Sequence, residues 1–123
     1  MLRYSQQDQR WREHALGLGT VTIGSQGCLL TALAMLCSDL GASETPLSLN
    51  DKILAAGGFV ESYLIVRLLP RAVPAVSLRA VYACEDTPAP LAALNAHLLA
   101  GEKVVVQLDS SPLPGLQPHW VIL

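Results

Sequence analysis

This sequence predicts a small α+β domain with a mostly antiparallel sheet, on three observations. Helical patterns occupy the first half of the chain and strand patterns the second. The run from Cys28 to about Leu40 is apolar nearly all the way round, which marks a helix buried on several sides. Finally, 123 residues of which 51% are hydrophobic and 15% charged can close one core but are too few for two domains. A mean hydropathy of +0.39 excludes a disordered polymer.

Taken in order, residues 2–12 show no clean period, and an extended arm is expected that packs Tyr4 and Trp11 down and projects polar groups elsewhere. His14 to Gly24, with Gly17, Gly19 and Gly24 around Thr20–Ile23, reads as loop with one brief strand at most. The central helix follows, stopped at Gly41. Ser48-Leu49-Asn50-Asp51 reads as a capping box with Ser48 as N-cap, opening a short helix that ends at Gly57-Gly58. Tyr63 to Leu69 fits strand or helix, with Pro70 ending it. Val76 to Ala83 alternates like a half-buried strand. Thr87-Pro88 opens a helix to Ala100, ahead of Gly101. Lys103 to Leu108 is a strand of the buried kind, and a Ser/Pro/Gly loop from Asp109 to Pro118 leads to a last strand, His119 to Leu123.

Several function classes fall away. The net charge of −2 names no partner, and the eight Lys and Arg residues are scattered, so nucleic-acid binding is not expected. The polar N-terminus shows no signal peptide, and the longest strongly apolar run, Leu29 to Cys37, is shorter than the ~20 residues of a membrane span. Cys28, Cys37 and Cys84 form no Cys-x-x-Cys pair and lie near no metal-spaced histidines, so neither metal nor cofactor is indicated. Nine residues apart on one helix, Cys28 and Cys37 would face opposite sides about 13 Å apart along the axis and could not bridge. A reducing compartment such as the cytoplasm is the expectation, with Cys37 and Cys84 as core fillers.

Chemistry points to Cys28, which stands where Gly24-Ser25-Gln26-Gly27 runs into the apolar helix. The first turn of a helix carries unpaired N–H groups and a partial positive charge, which favour an anionic, nucleophilic sulfur. A cysteine nucleophile needs a base, oxyanion donors and a group that orients the base. Of the histidines, His97 sits mid-helix and His14 in a polar loop. His119 stands at the junction of a loop and an apolar strand, where the backbone is rigid while the side chain can face a cleft.

Together YSQQDQRW, IGSQGCLLTALAML, TPLSLNDKILAAGGF and the terminal HWVIL resemble, in order and over nearly the whole chain, the bacteriocin-processing (double-glycine leader) branch of the papain-like cysteine peptidases. The resemblance implies a papain-like fold, with the buried cysteine helix packed on the sheet. It implies Cys28 as the nucleophile that becomes an acyl-thioester and His119 as the general base that later protonates the leaving amine. Gln6 matches the glutamine whose side-chain amide, with the Cys28 N–H, forms the oxyanion hole; Gln26 competes for that role. The substrate would be a peptide or peptide-like amide.

One departure stands out. The family holds its imidazole with an Asp or Asn on the strand after the histidine, and here four residues follow His119. The expectation is a single domain over residues 1–123 truncated at its C-terminus, with further domains of the same protein as partners. The alternatives are Asp109 as a substitute, or a catalytically silent relative that binds peptides or packs within a larger protein.

Overall fold

In the computed structural model, residues 3–83, 87–109 and 118–123 are described, except for the side chains of Asp109, Pro118 and His119. The elements run α1 (Ile23–Gln26), α2 (Cys28–Asp39), α3 (Pro46–Ala55), β1 (Phe59–Val60), β2 (Tyr63–Leu64), a 3-10 turn (Val66–Leu68), α4 (Leu69–Ala72), α5 (Leu91–Leu99), β3 (Val105–Asp109) and β4 (Pro118–Ile122). The α+β class is observed. In place of one sheet, the described residues form two two-stranded antiparallel sheets, β1 with β2 and β3 with β4.

Helix α2 is the centre. Leu30, Leu33, Ala34, Leu36 and Cys37 are buried in one cluster with Trp11, Leu16 and Ile23 ahead of it and Leu49, Ile53, Phe59, Leu64 and Leu69 beyond it. Packing against α3 on one side and β4 on another requires the near-continuous apolar surface that its sequence shows. Gly41, at φ 91°, ends it in the left-handed region that glycine adopts without strain.

Several sequence expectations move. The N-terminal arm is a series of turns and not extended: Trp11 N–H bonds the Asp8 carbonyl, and its indole N–H donates to the Ser5 carbonyl at 2.8 Å, curling the arm back on itself. α3 starts three residues early, because Thr45 caps it and Pro46 occupies its first turn. The Thr45 hydroxyl accepts from the Ser48 N–H and the Ser48 hydroxyl accepts from the Thr45 N–H, so Ser48 is the third residue of the box and not its cap. Pro70 lies in the first turn of α4, opening a helix instead of ending a segment. Residues 76–83 carry no strand among the described residues, and α5 begins after Pro90. The predicted loop at 14–24 also contains α1, capped reciprocally by Thr22 and Ser25. The Asp109–Pro118 loop and Cys84 lie outside the described residues.

Glu44 locks the end of α2 to the start of α3. Its carboxylate is 3% exposed; it accepts from the Ser48 hydroxyl at 2.6 Å and pairs with Lys52, while the Ser38 hydroxyl donates to its carbonyl at 2.9 Å. With Thr45 and Ser48 each occupied twice over, Thr45→Ala is expected to destabilise the domain by about 1 kcal/mol in urea unfolding. An unchanged midpoint would contradict this placement of the cap.

Candidate active site

The site is assembled from the arm, α1 and the first turn of α2. Buried Trp11, with Tyr4 edge-on at 5.5 Å and the Arg10 guanidinium over its ring at 4.5 Å, fixes the arm against the core. Arg10 also pairs with Asp8 at 3.0 Å, and that contact holds the Asp8 carboxyl below its usual range and the guanidinium above its own. The arm so held presents Gln6 and Gln7 to α1. The Gln6 side-chain amide donates to the Gly24 carbonyl at 3.0 Å, and the Gln7 amide donates to the same oxygen.

Two glycines allow this closeness. A Cβ at Gly24 would lie 2.7 Å from the Arg12 carbonyl, and one at Gly27 would collide with the Ile23 carbonyl. The Gly24 N–H instead donates to the Arg12 carbonyl at 2.8 Å, tying arm to α1 by backbone as well as by side chains.

Cys28 is the first residue of α2 and is half-buried. Gly27, the N-cap, has no side chain to turn inward, so among the described residues the amide groups of Cys28 and Leu29 have no acceptor. The Gly27 carbonyl is held by the Thr31 N–H at 2.9 Å and the Thr31 hydroxyl at 2.7 Å, which fixes the turn that carries the sulfur. A thiol at this position meets outward-pointing donors and the positive end of a twelve-residue helix, an arrangement suited to holding a developing oxyanion. Cys37 is in the opposite situation. Burial, with the Glu44 charge adding and Lys52 opposing, pushes its thiol up to about 11.

Of the predicted site residues, the structure brings Gln6 to Gly24, four positions before Cys28. Gln26 is exposed on α1. His119 is the second residue of β4 and opposes Leu108; its imidazole and the Asp109 carboxyl lie outside the described residues. β4 packs on α2, and Lys103, two residues before β3, pairs with Asp39 at the far end of α2 at 2.6 Å. Val105 and Ile122 therefore sit at that end, and position 119 is about 10 Å back along the strand.

His97 is engaged elsewhere, with Nε2 3.0 Å from the Tyr82 hydroxyl and Nδ1 3.1 Å from Glu102. One shallow depression is bounded by Gln7, Arg12, Glu13, Thr22, Gly24 and Ser25, and another, on α3 and α4, by Lys52, Ala55, Ala56, Arg71 and Ala72; Cys28 lines neither. Sequence reasoning missed Gln7 and the buried Asn50. The Gln-Gln doublet was visible, but nothing local separates a bonded glutamine from a solvated one.

Among the described residues no group of His, Cys, Asp and Glu could hold a metal ion, and no helix is long and apolar enough to cross a membrane. The chain matches no family model, no curated protein and no solved structure.

Proposed function

We propose that this domain is a thiol-dependent hydrolase, a cysteine peptidase or amidase of papain-like fold, that cleaves a peptide or peptide-like amide bond. The observation that carries the reading is the closure of the Gln6 amide onto Gly24 beside a half-exposed Cys28 with free first-turn N–H groups. The packing of β4 on α2 adds support, because it brings the strand that carries position 119 against the helix that carries Cys28.

In this reading the Cys28 thiol gives its proton to His119 as the sulfur bonds to the substrate carbonyl carbon. The oxyanion is held by the Cys28 N–H and the second N–H of the Gln6 amide. Collapse breaks the C–N bond, His119 returns the proton to the leaving amine, and water then hydrolyses the thioester. A second reading is a silent relative that binds peptides or packs within a larger protein, because the strand after His119 that would hold the imidazole with an Asp or Asn is not part of this sequence.

The test is alkylation by iodoacetamide at pH 6. Cys28 in the folded chain is expected to react at least ~10-fold faster than the same cysteine in a peptide of residues 23–30, and His119→Ala is expected to remove the gain. Hydrolysis of a fluorogenic peptide library is expected to vanish in Cys28→Ala. A folded chain no faster than the peptide defeats the catalytic reading. Peptide binding unchanged by Cys28→Ala, without turnover by the wild type, establishes the silent one.

A further inference from the structure

The ladder of helical backbone bonds that α1 begins is interrupted at Cys28. The Gly27 N–H donates to the Ile23 carbonyl at 2.7 Å, and further on the Thr31 N–H donates to the Gly27 carbonyl at 2.9 Å. Between them, the Gly24 carbonyl is the acceptor that helix geometry assigns to the Cys28 N–H, and that bond is not made. Open N–H groups are ordinary where a helix starts from a loop, but here a helical turn lies directly ahead and offers acceptors. The Gly24 carbonyl is filled instead from the arm, by the side-chain amides of Gln6 at 3.0 Å and of Gln7. A carbonyl oxygen has two lone pairs, and both are taken. Glycine permits the crowding, since a Cβ at Gly24 would lie 3.2 Å from the Gln7 Oε1.

We infer that Gln7 is a positioning residue: with Gln6 it saturates the Gly24 carbonyl and so keeps the Cys28 N–H from closing onto it. The catalytic consequence rests on the hydrolase reading above. An N–H bonded to Gly24 would be lost as a donor to the oxyanion, and the sulfur would sit one residue inside a continuous helix instead of at its start. Gln7 touches no reacting atom. It acts through the Gly24 carbonyl on its two neighbours, Gln6, which spends one amide hydrogen there and keeps the other for the substrate, and Cys28. Gln7 is exposed and takes no part in the core, so replacing it changes this contact and little else.

Amide exchange with water, followed by NMR on the whole chain, reads the contact directly. In the wild type the Cys28 N–H is expected to exchange as an open amide while the Thr31 N–H is protected. Gln7→Met keeps the side-chain length without a donor and is expected to raise Cys28 protection at least ~5-fold, with Thr31 protection unchanged. Gln7→Glu, which at pH 7 presents only acceptors, is expected to do the same. A glutamine that only tethers the arm predicts the opposite sign, because a loosened arm exposes amides and protects none. In turnover of the fluorogenic peptides both variants are expected to lower kcat about 10-fold with KM within about twofold, since the oxyanion forms only in the transition state. Protection of Cys28 already present in the wild type, or no rise in either variant, overturns the inference, as does a kcat equal to the wild type's in both variants. A wild type without turnover defeats the hydrolase reading instead, and the exchange measurement then decides by itself whether Gln7 keeps Cys28 open.

Discussion

Asn50→Ala is expected to cost about 3 kcal/mol of stability, more than a hundredfold in the folding equilibrium. Asn50 is 2% exposed on α3, and its side chain is the rivet between that helix and the loop ahead of α1. Its Oδ1 accepts the Gly17 N–H at 2.9 Å and its Nδ2 donates to the Ala15 carbonyl at 3.2 Å. Truncation leaves the buried Gly17 N–H without an acceptor and opens a small void, and both effects act in the same direction. The consequence extends to the site. The loop so held pairs Ala15 with Thr22, and Thr22 caps α1, whose Gly24 receives Gln6 and Gln7.

Asn50→Asp separates the two halves of the rivet. It keeps an acceptor for Gly17 but turns a carboxylate oxygen toward the Ala15 carbonyl, so the loss at neutral pH should approach that of alanine. It should shrink in acid, where the protonated carboxyl can donate. Urea titrations at pH 7 and pH 4 read both effects, and a loss under about 1 kcal/mol for Asn50→Ala would show that the loop does not depend on this residue.

These contacts mark where sequence reading stops. The central helix is legible because its signal is local: an apolar run bounded by Gly27 and Gly41 leaves no other structure to choose. The start of α3 is less legible because both Thr45 and Ser48 can cap. What decides between them is Pro46, fitted to a first turn, and the need of buried Glu44 for the Ser48 hydroxyl. Alternation from Val76 to Ala83 is real in the sequence, yet a strand exists only where another strand supplies partners, and that information is not carried by the segment itself. Two prolines misled for a related reason, since Pro70 and Pro88 fit the first turn of a helix as readily as the end of a segment. At the site, Cys28 announced itself by standing at a helix start. The bond from Gln6 to Gly24 spans 18 residues, and nothing in either neighbourhood foretells it apart from the resemblance of the whole arm.

Raising the pH from 8.5 to 11 is expected to cost the wild type about 2–3 kcal/mol more than it costs Cys37→Ala. Cys37 is fully buried in α2, and desolvation, with the Glu44 charge adding, lifts its thiol from 9.0 to about 11. Below pH 9 folded and unfolded chains both keep the proton, so the residue contributes no pH dependence. Between 9 and 11 the unfolded chain releases its proton while the folded chain holds it. The unfolded state then binds fewer protons, and stability falls by up to ~1.4 kcal/mol per pH unit. Above 11 both states are ionised and the difference levels off. Other groups that titrate in this range, the tyrosines and lysines, are common to both proteins and cancel in the comparison. Cys37→Ala carries its own small packing loss, but that loss is independent of pH and only offsets its curve. Chemical denaturation at half-unit steps would show two curves converging from pH 9 upward, whereas parallel curves would mean that the thiolate at position 37 finds solvent or a donor in the folded chain.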